Sequence, residues 1–237
     1  MLCLPDHSLF RPAMTRKLFW QDPYRTTLTT RVSAVDNDRI RLAETIFFAF
    51  SGGQESDHGT LAGHPVLSAE KDGLEILYTL APGHGLQAGS EVEIVIDWER
   101  RYRLMRLHFA AEMVLQLVYK LRPGIERIGA HISADKGRID FAHEGSIAVL
   151  LPQVETEVAA LLQADLPIVT AFTDEATQRR YWEVAGFARM ACGGTHPRST
   201  AEVGALRLKR KNIGKGKERI EISLGGNPLD GTLLAAI

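Results

Sequence analysis

One stretch limits the fold more than any other. Residues 99–121 read ERRYRLMRLHFAAEMVLQLVYKL, without a Gly or Pro, until RPG halts them at 122–124. Strong helix formers dominate the run, and Pro-Gly is the punctuation that ends a helix, so the spacing predicts one long helix here. Its apolar residues run around much of the girth instead of along a single stripe. Such a helix must be covered, and burial against a sheet is the covering expected.

The strands for that sheet are legible on both sides. From about 26 to 97, RTTLTTRVSAV, IRLAETIFFAF, GLEILYTL and EVEIVIDW are short segments rich in strand formers, separated by DNDR and PGHG turns. That rhythm predicts a small barrel or sandwich. SGGQESDHGTLAG (51–63) interrupts it with a glycine pair beside Gln54, a place where backbone can approach a ligand closely. Beyond the helix, GRIDFAH reads as a strand, QVETEVAALLQADL as a helix and PIVTAF as a strand. DEATQRRYWEV reads as a helix capped by Thr173 or Asp174, and VGALRLKR and RIEISL as strands joined by KNIGKGKE. The expectation is an α+β chain in two parts: a β-barrel-like domain over 1–97, and an α+β domain over 98–237 with the long helix buried against an antiparallel sheet.

Composition removes several classes. A formal charge of −1 is not that of a globally basic nucleic-acid binder, though it leaves local patches open. Cys3 and Cys192 do not make a disulfide scaffold. No apolar run approaches the roughly 18 residues of a membrane span, so none is expected, and MLCLPDHSLFRPAM does not read as a signal peptide. A cytoplasmic protein with no membrane partner is expected.

Two pairs of residues carry metal-site spacing. His108 and Glu112 lie four apart on the helix, so their side chains point the same way. Cys192 and His196 lie four apart around two glycines in CGGTH, with Thr195 between them. Together they offer N, O and S ligands suited to zinc. Each pair alone is more often ordinary decoration, Cys being a common small hydrophobe. A serine triad finds no support, since Ser133 and Ser199 lack elbow motifs.

Basic residues cluster twice. RLKRKNIGKGKER (207–219) holds seven basic residues against one Glu, with Lys209, Arg210, Lys211, Lys215 and Lys217 around a Gly-Lys-Gly turn apt for phosphates. ERRYRLMR (99–106) places Arg103 and Arg106 three apart, on one helix face leading toward the metal pairs. A solvated hairpin and an ordinary helix start are the plain alternatives.

TRKLFWQDPY (15–24), GGQ (52–54), IDWERRYRLMRLH (96–108), GRIDF (137–141), CGGTHPRSTAEVG (192–204) and GKGKERI (214–220) together resemble the stand-alone alanyl-tRNA editing proteins. These are similar to the editing domains of alanyl- and threonyl-tRNA synthetases, and the likeness spans nearly the whole chain. It implies a β-barrel-like domain with a Gly-rich motif followed by the editing domain. It also implies zinc held by His108, Cys192, His196 and the residue at 112, and tRNA as partner. The implied reaction is hydrolysis of seryl- or glycyl-tRNA for alanine; by their own chemistry Gln54, Thr195 and Arg106 are expected in catalytic support of it, and Arg103 among the RNA contacts. This sequence departs from the family pattern at Glu112, where a second helix His is usual, and at Ser51, where a third glycine is usual. A non-catalytic RNA-binding protein on the same fold, and a metal-dependent hydrolase of another ester, are the rival expectations.

Overall fold

The computed structural model describes residues 14–225; Cys3 and most of the segment read as lacking a signal peptide lie outside the described residues. The chain is α+β. The long helix, α1, spans Trp98–Leu121, and Asp97 caps it by accepting from Arg100 N at 3.1 Å. Every residue from Leu104 to Leu115 is buried, as are Leu117 and Val118. The cover comes from several sides. A four-stranded antiparallel sheet, in the order Glu126–Ile132, Gly137–Ala142, Lys217–Leu224, Leu206–Asn212, packs on one side. A second helix, α2 (Leu151–Ala164), packs on another. Trp182, from the three-stranded sheet Val169–Asp174, Arg179–Val184, Ala188–Ala191, meets Phe109 edge-on at 5.1 Å. A helix covered on this many faces is apolar on all of them.

A separate core forms upstream. Seven antiparallel strands run in the order His64–Pro65, Gly59–Leu61, Glu91–Ile96, Thr27–Asp36, Arg39–Leu42, Glu75–Thr79, Ser68–Asp72. Thr27–Asp36 buries alternate residues (Leu28, Thr30, Val32) and then bulges between Val32 and Ala34, which bends the sheet over its own apolar face. Among the described residues no ladder joins the two end strands, so the barrel-like sheet is not closed.

Among the contacts that stitch the two cores together, three position the site. Arg101 is fully buried and donates to both oxygens of Asp57, to Pro23 O at 2.9 Å and to Ile46 O at 2.6 Å. Arg100 pairs with Glu55 at 2.7 Å. The Ser51–Gln54 turn hydrogen-bonds to the edge strand of the four-stranded sheet, Ile132 N donating to Gly53 O at 2.8 Å. Gly53 has φ +88°, and a Cβ there would stand 2.7 Å from Ala130 O, so only glycine lets these backbones meet.

Two expectations need correction. DEATQRRYWEV is a turn and a strand, not a helix. Asp174 caps nothing helical; its carboxylate accepts from Ala176 N at 3.0 Å and Thr177 Oγ1 at 2.5 Å, closing a tight turn that leaves Gln178 at φ 55°. Arg180, Trp182 and Val184 then bury alternately, at the strand period. Ile147–Ala164, the other, is by length and composition apolar enough to cross a membrane. It comprises a 3-10 turn (Ile147–Leu150) and α2, whose buried Val154 and Val158 face α1 while Glu157 pairs with Lys120 at 2.9 Å.

Candidate metal centre

His108 and Glu112 sit one turn apart on α1, both buried. The CGGTH loop brings Cys192 and His196 onto them. Its upstream end is fixed by Cys192 N, which donates to Arg180 O at 2.9 Å. Downstream, the fully buried Thr200 hydroxyl donates to Leu161 O at 2.6 Å and accepts from Leu166 N at 2.9 Å. Between these anchors, Gly194 lies flat against the His108 imidazole, where a side chain would not fit. Gly193 O accepts from Trp20 Nε1 at 2.8 Å, and Gly194 N donates to Cys192 Sγ at 3.3 Å.

The four donor atoms lie within 4.8 Å of one another. His108 Nε2 is 3.6 Å from Cys192 Sγ and 3.3 Å from Glu112 Oε1, and His196 Nε2 is 2.9 Å from Glu112 Oε2. A tetrahedral ion with bonds of about 2.1 Å has ligand–ligand edges of about 3.4 Å. Two of these three distances are already edges of that size, and the third needs to open by about half an ångström. The donor set fits a divalent transition ion.

Burial pushes the Glu112 carboxyl up, but the His108 and His196 imidazoles outweigh it and hold it well below the usual carboxylate range. Burial opposes charge on both imidazoles as well, and Glu112 and Cys192 overcome that and raise them. The Cys192 thiol, pushed up by burial and by Glu112, is drawn below its ordinary value by the two histidines. Without an ion the two imidazolium protons balance the carboxylate and the thiolate, and a bound metal ion would take the place of those protons.

Gln54 and Thr195 lie together beside the centre. Both are buried, and Gln54 Nε2 donates to Thr195 Oγ1 at 3.1 Å. Gln54 Oε1 is buried with no partner among the described residues. A cavity of about 250 Å³ opens here, walled by His108, Glu112, Leu115, Ile132, Cys192 and Gly194.

The arginines behave differently. Arg106 lies two residues from His108, about 200° around the helix. Its Nε donates to Val203 O at 2.9 Å and its guanidinium packs beside Gly204, so it is not beside the donors. Arg103 donates to Ala134 O at 2.9 Å. The helix arginines stitch the fold. In the second basic run, Lys209, Lys211, Lys215 and Lys217 are exposed, whereas Arg210 grips Glu218 at 2.5 and 2.6 Å. Sequence reasoning passed over Trp20, which steadies the loop through Gly193; only its place in TRKLFWQDPY pointed to it.

Known proteins resemble this chain along its length. The family described as the threonyl and alanyl tRNA synthetase second additional domain matches residues 183–221, which include Cys192 and His196. Alanyl-tRNA editing protein AlaX-M of Pyrococcus horikoshii is 31% identical over 223 residues, covering 89% of this chain and 98% of that protein. The protein of the same name from Methanosarcina barkeri is 29% identical over 248 residues, covering 89% and 99%. Alanine–tRNA ligase of Staphylothermus marinus is 31% identical over 232 residues, covering 87% of this chain and 26% of the ligase.

Proposed function

The chain belongs to the alanyl-tRNA editing protein family, and we propose that it hydrolyses the ester joining a wrong amino acid, serine or glycine, to the terminal adenosine of alanine tRNA. The observation that carries this reading is the convergence of His108, Glu112, Cys192 and His196 into one donor cluster, which opens on a small cavity through His108, Glu112 and Cys192 and has the Gln54–Thr195 pair beside it. Two nitrogens, a sulfur and a carboxylate oxygen suit zinc, which is the ion proposed. When bound, zinc supplies a fixed positive charge that polarises the ester carbonyl and lowers the cost of its hydrolysis.

The chain's own residues supply orientation and choice. Gln54 Nε2 fixes the Thr195 hydroxyl, which can then donate toward an oxygen in the cavity. Gln54 Oε1, buried and without a partner among the described residues, accepts from a substrate hydroxyl. Serine offers that donor and alanine does not. An acceptor satisfied by one substrate and stranded by the other discriminates better than a methyl-sized difference in volume. Apolar walls such as Leu115 and Ile132 limit water around the ester. In this reading residues 1–97 form one domain and 98–237 another, the first lending Gln54 to a centre built by the second. The exposed Lys209, Lys211, Lys215 and Lys217 meet RNA phosphates, and the setting is the cytoplasm, with no membrane.

Deacylation of Ser-tRNA(Ala), Gly-tRNA(Ala) and Ala-tRNA(Ala) by wild type and Glu112→His tests this. Loss of serine with alanine spared, abolished by His108→Ala, is the expected result. Glu112 gives weight to one alternative: activity only in Glu112→His, or in neither protein, would favour a non-catalytic RNA-binding role. Turnover of free aminoacyl esters, indifferent to neutralising the four lysines, would favour a hydrolase of small esters.

A further inference from the structure

One further contact between the two cores reaches the residue next to a metal donor. Trp20 ends the 3-10 turn Leu18–Trp20, whose Leu18 and Phe19 are buried in the upstream core. Its Nε1 donates to Gly193 O at 2.8 Å, and among the described residues this is the one hydrogen bond that Gly193 makes. On the other side, Cys192 N donates to Arg180 O at 2.9 Å, and the Arg180 guanidinium returns to Trp20, donating to its carbonyl at 3.2 Å. Trp20, Gly193, Cys192 and Arg180 thus form a closed circuit. With the backbone held before and after it, the Cys192 side chain keeps only its χ1 rotation.

Charge as well as packing holds the indole. Lys17 Nζ stands 5.1 Å from the Trp20 ring centroid and Arg180 Cζ 5.3 Å. Both side chains are buried, yet their hydrogen bonds go to neutral oxygens: Leu74 O and Gln178 Oε1 for Lys17, Trp20 O and Thr170 Oγ1 for Arg180. No carboxylate comes within ion-pair distance of either cation among the described residues. Buried cations are ordinarily paired, and here the electron-rich face of the indole takes the place of the anion. Two cations over one ring draw its electrons toward them, which strengthens the N–H as a donor to Gly193 O. Phe19 and Phe172 meet the same ring edge-on at 5.3 and 5.6 Å, so it does not tip away without unpacking both.

Resting on the metal-centre part of the reading above, we propose that Trp20 is a positioning residue for the centre. Through Gly193 it sets where Cys192 Sγ meets the ion, and Lys17 and Arg180 serve that role by holding the indole. The CGGTH loop is then gripped from the upstream segment at two points, Gly193 by Trp20 and Thr195 by Gln54. The coupling runs both ways: whatever Trp20 adds to the hold on the ion, the ion adds to the hold on Trp20.

Zinc competition titration and cobalt(II) absorption of the full chain test this. Trp20→Phe keeps an aromatic ring near the two cations and removes the N–H, and Trp98→Phe, at the start of α1 and outside the circuit, is the control. Trp20→Phe should bind zinc about three- to tenfold more weakly, the weight of one hydrogen bond. At saturating cobalt it should also show a weaker sulfur-to-cobalt charge-transfer band, because the thiolate meets the ion differently. Trp98→Phe should change neither. A merely structural residue would lower the urea midpoint and leave the saturated cobalt spectrum as it was. A second measurement needs no variant: in the wild type, zinc should slow exchange of the Trp20 indole proton by about the same three- to tenfold and leave that of Trp98 alone. Equal zinc affinity in Trp20→Phe, an unchanged cobalt spectrum, or a Trp20 proton indifferent to zinc would each overturn the proposal. Failure of the wild type to take up zinc or cobalt overturns the metal-centre reading with it. The expected Trp20 effects without deacylation of Ser-tRNA(Ala) uphold the proposal and overturn the reaction alone.

Discussion

Gly194→Ala isolates the packing that makes the donor cluster possible. A Cβ on Gly194 would stand 2.5 Å from His108 Nδ1 and 2.8 Å from Gln54 Oε1, and closer still to His108 Cε1. Ordinary contact is about 3.5 Å, so the imidazole and the loop must separate by about 1 Å or more. His108 is 8% exposed on a helix packed all round, so the strain is not relieved by turning the ring into solvent. Overpacking of this kind costs about 1–3 kcal/mol. The separation also exceeds the roughly 0.2 Å tolerance of metal–ligand bonds, so zinc affinity should fall by about 10- to 100-fold or more. Gly193→Ala is the matched control. Its nearest neighbour would be Trp20 Cζ2 at 4.0 Å, and neither glycine needs a positive φ. Urea unfolding and a zinc competition titration against a chromophoric chelator measure the two effects. Wild-type zinc affinity and an unchanged urea midpoint in Gly194→Ala would refute the argument, as would equal damage from Gly193→Ala.

Arg101→Met should destabilise the protein by about 3–5 kcal/mol in urea unfolding, because it strands the buried Asp57 carboxylate together with Pro23 O and Ile46 O. A loss under about 1 kcal/mol would show that the site relaxes easily. Glu218 gives a pH signature: the Arg210 guanidinium, helped by Asn212 and Ile147 N, lowers its carboxyl from 4.5 to about 2. A depressed carboxyl stabilises the fold fully above its unfolded value and loses that contribution as pH falls through its folded one. Glu218→Gln should therefore be less stable than wild type at pH 7, with the gap closing between pH 4.5 and about 2; a constant gap in acid unfolding would contradict this. Replacing Lys209, Lys211, Lys215 and Lys217 by Ala should flatten the salt dependence of tRNA binding by about 0.7–0.9 in logarithmic slope for each phosphate no longer neutralised. Arg210→Ala should act on urea stability instead, because its guanidinium is engaged with Glu218.

What could be read in the chain depended on how far each signal was local. The long helix and the CGGTH loop announce themselves through periodicity, punctuation and spacing, all properties of adjacent residues. The strand Glu126–Ile132 escapes a reading of the sequence, because Gly129 and His131 dilute its apolar pattern and its ladder bulges between Arg127 and Gly129. The segment 174–184 mimics a helix with its Gln and Arg, but Trp182 and Val184 alternate toward a core that only the tertiary fold provides. Nearness in sequence to His108 suggests that Arg106 stands beside the donors, and helical rotation sends it elsewhere. The four donors were legible because pairs four apart declare a shared direction; that the two pairs face each other is information the fold adds.

The ladder order has a bearing on how the molecule is made. Every strand of the seven-stranded sheet lies before residue 97, so that sheet contains all its pairing partners once Glu91–Ile96 has emerged from the ribosome. The other sheet works the opposite way: Lys217–Leu224 lies between Gly137–Ala142 and Leu206–Asn212, joining partners synthesised long before it to one synthesised just before. Pairings of such sequence separation form late. During synthesis α1 therefore waits with its sheet-facing side incompletely covered until nearly all of the described chain exists. The N-terminal sheet is a finished platform, and the sheet that covers α1 beside it is completed by the last strand to arrive.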